Sequence, residues 1–181
     1  RPVVLIIYAI EKEFFGNSSH TGHFINVLLF ALSCLLLYKL INKLFTSHVS
    51  ILNTQYSILV VLLFASHPIH TEAVANIKGR DDILNFIFLL LSLLFMLKFM
   101  DLNEKKNLWM SAIFFFFSLL CKEMAVTFLA IIPLTVFFFR EISLKKIGMG
   151  MIPFIAAFVV YMLIRSSVLD TVTFAEKMKV V

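Results

Sequence analysis

Long apolar runs separated by short polar intervals set the pattern of this chain. Residues 2–10 are apolar but reach only about half of the ~20 residues that a membrane-crossing helix needs. Glu11, Lys12 and Glu13 close this run, so the segment is expected to lie at a membrane interface. Gly16, Asn17, Ser18 and Ser19 then supply turn chemistry. A first span is expected over residues 23–44, with Lys39 and Lys43 placed to snorkel at its far end. A second over residues 51–66 is stopped by Pro68, which cannot continue a helical hydrogen-bond ladder. A third covers residues 83–100, with Asp81 and Asp82 placed to cap its amides and complement its dipole. Residues 108–139 are apolar except at Lys122 and Glu123. As one helix they would extend about 48 Å, at ~1.5 Å per residue, against a hydrocarbon core of ~30 Å. They must therefore form a hairpin of two spans with Lys122 and Glu123 at its apex. Residues 140–146 read as a basic loop, and residues 149–164 as a sixth span that tolerates Pro153.

Composition places this pattern in a membrane. With 61% hydrophobic and 15% charged residues, and a mean hydropathy of +0.97, the chain is far more apolar than a soluble domain. The expected fold is all-α, a polytopic transmembrane helix bundle of about six spans. The net charge of +5 sits in short loops between apolar runs, where it reports orientation and head-group contact, so nucleic acid is not an expected partner. One side collects Lys39, Lys43, Lys98, Lys105, Lys106, Arg140, Lys145 and Lys146, and the other Lys78, Arg80 and Lys122. The richer side is expected to be cytoplasmic. Residues 67–82, Lys122, Glu123, His20 and His23 then belong to the extracytoplasmic or lumenal face. Cys34 and Cys121 lie within apolar runs and read as small core residues. The phenylalanines at 114–117 and 137–139 read as lipid-facing or packing side chains.

Candidate chemistry concentrates in residues 64–82, where His67, His70, Glu72, Lys78, Arg80, Asp81 and Asp82 crowd one polar interval. Arg80, at the entry to a helix, could offer a forked donor to a lipid phosphate, or could form an ordinary ion pair with Asp82 or Glu72. His67, His70 and Glu72 fit contacts to a sugar or acceptor, capping of a span end, or a divalent metal. Pro68 breaks the helix between the histidines, so the metal reading is the weakest and no metal cofactor is assigned. Lys122 and Glu123 are costly at the apex of two short spans unless paired or lining a wet cavity. Lys122 could hold a phosphate that Glu123 helps orient, or each could neutralise a partner on a neighbouring span.

The runs Arg1-Pro2, Gly22-His23-Phe24-Ile25-Asn26-Val27-Leu28-Leu29, His67-Pro68-Ile69-His70-Thr71-Glu72-Ala73-Val74, Gly79-Arg80 with Asp82, and Leu119-Leu120-Cys121-Lys122-Glu123 occur in this order. Together they resemble the transmembrane and tetratricopeptide-repeat-containing O-mannosyltransferases and their bacterial relatives. The histidine-containing run is the specific part, and the likeness extends to about Arg140. The resemblance implies a GT-C type glycosyltransferase in a bacterial inner membrane or the endoplasmic reticulum membrane. It would use a polyprenyl (dolichyl) phosphate sugar as donor and a protein as acceptor, on the extracytoplasmic or lumenal side. It further implies that residues 1–181 are part of the membrane domain, with the first span, the first outer loop and any tetratricopeptide repeats lying outside. The catalytic acid is then expected upstream of Arg1, with Glu72, Asp82 and Glu123 as lesser candidates, and this stretch alone is expected to be inactive. The implied substrate-binding set is His67, His70, Glu72, Arg80, Asp82, Lys122 and Glu123. Phe30 stands where relatives often carry His, and Asp81 where they often carry Ala. The alternatives are a transferase for another lipid-linked sugar or acceptor, a scaffold, and a transporter. A transporter would need polar residues near the middle of spans, and these are scarce, Ser33, Asn85, Ser92 and Ser118 being the main ones.

Overall fold

The computed structural model describes residues 1–16, 18–45 and 54–179, and all regular structure among them is helical. The helices are α1 (Pro2–Phe15), α2 (Ser19–Phe45), α3 (Thr54–Ser66), α4 (His70–Ala75), α5 (Arg80–Leu102), α6 (Lys105–Cys121), α7 (Phe128–Phe139) and α8 (Leu144–Lys179). Short 3-10 turns at Ile77–Gly79 and Glu123–Thr127 lead into α5 and α7. The expected spans correspond to α2, α3, α5, α6, α7 and α8, and residues 51–53 of the second lie outside the described residues. Ser19–Phe45, Ile77–Leu102 and Leu144–Val168 are each long and apolar enough to cross a membrane. The chain is a membrane helix bundle.

α5 is its axis. In the most apolar window of each long helix, 67% of residues are buried for α5, against 22% for α2 and 28% for α8. The flanking helices therefore turn most of their apolar surface outward, as Leu28, Leu32 and Leu35 do on α2, and that surface fits lipid. Burial between apolar helices gives little drive inside a bilayer, so association must come from close packing and hydrogen bonds. Ser92 Oγ donates to the Ser111 carbonyl at 2.9 Å and Ser111 Oγ returns a bond to the Ser92 carbonyl at 2.5 Å, drawing α5 against α6. On the other side, a Cβ at Gly150 of α8 would lie 2.9 Å from the Met96 methyl, so the missing side chain lets α8 approach α5. Phe115 points into this core against Phe154, while Phe117 and Phe138 face outward, which divides the phenylalanine tracts between packing and lipid. Cys121 is buried and Cys34 half-buried, both as free thiols.

The hairpin expected from the length of residues 108–139 is present. α6 stops at Cys121, Lys122 is extended at φ −153° and ψ 134°, and the 3-10 turn at Glu123–Thr127 starts the return. Residues 2–10 differ from expectation. α1 continues through Glu11, Lys12 and Glu13 to Phe15, and it packs on α5 and α6. Its acidic end is not a stop signal, because Glu11 finds a buried cation in the bundle. The basic interval is shorter than expected, since Lys145 and Lys146 already belong to α8. At the opposite end of the bundle, Asp101 bridges Lys43 at 3.0 Å and Arg140 at 2.8 Å, tying together the C-terminal ends of α2, α5 and α7.

Candidate functional site

The polar interval between α3 and α5 folds as two tight turns because Pro68 and Gly79 punctuate it. α3 ends at Ser66, the His70 amide bonds to the His67 carbonyl at 3.2 Å, and α4 carries only six residues. A Cβ on Gly79 would lie 2.4 Å from the Ala73 carbonyl oxygen, so α4 folds back directly onto the start of α5. Asn26 of α2 secures the connection, donating to the Asn76 carbonyl at 3.1 Å and the Val74 carbonyl at 3.4 Å.

Arg80 lies beneath this turn and is fully buried. Its Nε donates to Asn26 Oδ1 at 2.8 Å, Nη2 to the Gly22 carbonyl at 3.0 Å, and Nη1 to the Glu11 carboxylate. The guanidinium also sits 4.7 Å from the centre of the Tyr8 ring, whose hydroxyl donates to the Ile77 carbonyl at 2.5 Å. The expected ion pair with Asp82 or Glu72 is not formed. Glu11 takes that place because α1 docks where the sequence pattern puts an interfacial segment. Arg80 thus ties α1, α2 and α5 to one another, with its three donor groups engaged by protein.

Above Arg80 opens a polar cavity of about 540 Å³, where Glu72, Asp81 and Asp82 face Arg1, Lys78 and Lys122. Asp81 pairs with Arg1, and its Oδ1 accepts the Asp82 amide at 2.9 Å. The N-cap of α5 is Gly79 and carries no side-chain capping bond, so the two aspartates sit in the first turn without capping the helix as expected. Asp82 instead pairs with Lys122, carried in by the hairpin apex, and Glu123 pairs with Arg165 of α8. Each apex charge is therefore matched on a neighbouring span. Lys122 is largely covered, whereas the Glu123 side chain is 59% exposed rather than partly buried as expected, since the apex turns it away from α5.

Two apolar recesses adjoin the cavity. One, of about 560 Å³, runs between α1, α6 and α8 and shares Arg1 and Lys122 with it. The other, of about 210 Å³, shares Ala73 and Asp82 and is walled by Phe30, Phe64, Phe86 and His70. The His70 ring lies 4.2 Å from Phe64, and burial there, reinforced by the neighbouring His67, holds its pKa below the ordinary 6.5. Phe30, read above as a departure, is therefore part of the wall against which His70 packs, at 5.4 Å. His67 accepts the Ile69 amide on Nδ1 at 3.2 Å, which is a turn-stabilising role. Among the described residues no group of three or more His, Cys, Asp or Glu side chains is arranged to hold a metal ion.

Residues 2–169 match the dolichyl-phosphate-mannose-protein mannosyltransferase family. The chain belongs to that family. Human protein O-mannosyl-transferase TMTC2 is 35% identical over 155 residues, covering 81% of this chain and 18% of that protein. The Xenopus laevis protein of the same name is 34% identical over 153 residues, with coverage of 81% and 18%. Human protein O-mannosyl-transferase TMTC4 is 32% identical over 146 residues, covering 72% and 20%. The chain thus spans about a fifth of the length of these relatives. No solved structure gives a significant match.

In this mannosyltransferase-family chain, the structure brings Glu72, Asp82 and Lys122 into one cavity and sets His70 on the recess next to it. Arg80 lies below both, and Glu123 stands at the mouth of the larger recess. Sequence reasoning missed Glu11 and Arg165. Asn26 was visible only as part of the resembling run, and nothing local marks Glu11 as the partner of a residue 69 positions away.

Proposed function

We propose that the protein to which this chain belongs transfers mannose from a polyprenyl (dolichyl) phosphate donor to Ser or Thr hydroxyls of a protein acceptor. The transfer takes place at the bundle end that carries the polar cavity, which faces outside the cytoplasm or into the lumen of the endoplasmic reticulum. The observation that carries this reading is the cavity itself: paired cations and carboxylates at the end of an apolar bundle, opening into an apolar recess, suit a substrate that is sugar, phosphate and lipid in sequence. The family description and the names of the relatives support the sugar and the acceptor.

In such a transfer the bond between the sugar's anomeric carbon and the phosphate oxygen breaks, and a bond to the acceptor hydroxyl oxygen forms. The hydroxyl proton passes to a carboxylate, and the lipid phosphate leaves carrying the bonding electron pair. Lys122 is placed to balance the leaving phosphate. Glu72, Asp81 and Asp82 are the carboxylates of this chain that line the same space, and with Asp81 held by Arg1 the proton acceptor is assigned to Glu72 or Asp82. Arg80 positions the first turn of α5 so that Asp81 and Asp82 reach the cavity. The reading needs no metal.

The test uses the intact protein in lipid, with polyprenyl-phosphate mannose and a Ser/Thr peptide. Lys122→Gln should slow transfer by about a hundredfold, the usual effect of removing one preorganised electrostatic contact, and Asp82→Asn should also slow it. Undiminished turnover in both, at matched insertion, would assign the cavity to structure alone. Single cysteines at Asn76 and Asn103 should label from opposite sides of the membrane, with Asn76 outside; the reverse result would overturn the orientation.

A further inference from the structure

The end of the bundle away from the polar cavity holds cations that the helices around them do not match. Its acidic side chains near the α5–α6 turn are already engaged: Asp101 by Lys43 and Arg140, and Glu104 by the Asn107 side-chain amide at 3.0 Å. Lys98 of α5 and Lys106 of α6 are both exposed, and neither has an ion-pair partner among the described residues. Lys98 belongs to the stretch Ile77–Leu102 that is long and apolar enough to cross a membrane, where an unmatched ammonium is costly. Lys106 stands in the first turn of α6, where a cation opposes the helix dipole. Neither lysine is explained by the helix that carries it.

The two lysines come to one depth. Ser92 and Ser111 exchange hydrogen bonds across the α5–α6 contact. Lys98 follows Ser92 by six residues and Lys106 precedes Ser111 by five, so at ~1.5 Å per residue both lie about 7–9 Å from that pair, toward the turn at Asn103. A half-buried aromatic stack joins the two helices on the same side: Phe95 lies 5.5 Å from Phe114, and Phe88 lies 6.3 Å from Phe114 and 5.7 Å from Phe117. Along α6, Trp109, Ile113 and Phe117 recur at helical spacing from Lys106 and are all exposed, which makes one outward apolar stripe with the lysine at its end. An exposed tryptophan at the end of a span marks head-group depth. The Lys98 ammonium rests 5.2 Å from the centre of the Phe95 ring, an exposed cation–π contact weak enough for a phosphate to replace.

We propose that this face of α5 and α6 binds an anionic glycerophospholipid of the leaflet opposite the polar cavity. Its phosphate sits between Lys98 and Lys106, Trp109 flanks the head group, and the acyl chains run along the aromatic stack beside Ile113. Charge selects the occupant. Two ammonium groups at head-group depth complement a lipid of net negative charge, whereas phosphatidylcholine would bring a third cation to them. The lipid joins α6 to α5, the axis of the bundle, and should therefore raise the stability of the folded protein in proportion to its occupancy. The face lies at the far end from the cavity and stands whether or not the transferase reading holds.

The experiment titrates the intact protein in detergent with phosphatidylglycerol and with phosphatidylcholine of identical acyl chains, and reads bound lipid by native mass spectrometry. Phosphatidylglycerol should be held about 25-fold more tightly, since each lysine near an anionic head group contributes a factor of about five. Lys98→Gln and Lys106→Gln should each lower that preference about fivefold and together abolish it. Lys98→Arg with Lys106→Arg should keep it. Lys145→Gln removes a charge at the same end of the bundle from α8 and should leave the preference unchanged. Phosphatidylcholine binding serves each variant as its own reference, so a general loss of fold cannot imitate a loss of preference. In nanodiscs, phosphatidylglycerol with a photoreactive acyl chain should label peptides around Phe95 and Ile113. Equal retention of the two lipids would overturn the proposal and leave an ordinary annular lipid, as would a preference that survives the double glutamine variant. A fall with Lys145→Gln as large as that with Lys98→Gln would also overturn it, leaving diffuse surface charge. Absence of label on this face, or its cross-linking to another segment of the polypeptide, would do the same by showing that protein covers it.

Discussion

Neutralising Glu11 should destabilise the bundle more than its place on a short surface helix implies. Arg80 is fully buried, and the Glu11 side chain, 12% exposed, is its one carboxylate partner among the described residues. Removing one member of a buried pair costs about 3–5 kcal/mol, mostly because the remaining charge is left without compensation. The slight exposure of Glu11 puts Glu11→Gln near the lower end, at about 3 kcal/mol. At roughly 2–4 °C per kcal/mol for a chain of this size, the apparent melting temperature in detergent should fall by about 6–12 °C. Arg80→Met should be comparably harmful alone, since it strands Glu11 and leaves Asn26 Oδ1 and the Gly22 carbonyl without their donor. The double variant Glu11→Gln with Arg80→Met should lose less than the two single losses added together, because neither charge is then left unpaired. Limited proteolysis near Gly16 supplies a second measurement, since α1 should detach in Glu11→Gln before the rest of the bundle opens. An unchanged melting temperature in Glu11→Gln, or strictly additive losses across the cycle, would refute the anchoring role.

Three further outcomes follow from the packing. Gly79→Ala places a Cβ 2.4 Å from the Ala73 carbonyl oxygen and 2.8 Å from its Cα; because these are backbone atoms α4 must move, and a loss of about 1–3 kcal/mol is expected in thermal unfolding. Ser92→Ala combined with Ser111→Ala removes the reciprocal bonds between α5 and α6 and should cost roughly 0.6–1.7 kcal/mol, the range of hydrogen bonds between membrane helices. His70, held neutral by burial and by His67, should make stability depend on pH: the unfolded chain takes up the proton first, so stability is full above 6.5 and declines as pH falls toward the lower folded value. His70→Phe should flatten that decline in a melting-temperature series across the same range, and an equal slope in the variant would assign the decline to another group.

The residues that the sequence exposes and those it conceals differ in the range of their interactions. Apolar length alone forces the hairpin at Lys122, because no single helix of that composition fits a bilayer, and the same reasoning brings Lys122 and Asp82 to one end of the bundle, where they pair. Pro68 likewise announces the turn before α4 through its own backbone chemistry. Arg80 is different. Its neighbours suggest a phosphate donor or an ion pair with a nearby carboxylate, yet it is buried by α1 and α2, whose contributions Glu11 and Asn26 lie 69 and 54 residues away. Hydropathy assigns charge to the surface one residue at a time, whereas burial of a guanidinium is decided by whether distant groups can match all of its donors together. Arg165 is concealed for a related reason, since its partner Glu123 lies 42 residues away on the hairpin apex. In a membrane bundle, where polar side chains are few, an unassigned charge beside an apolar run therefore calls for a search for its partner before it is given to the loop. That search, begun at Arg80, leads to α1, and begun at Glu123 it leads to Arg165 of α8.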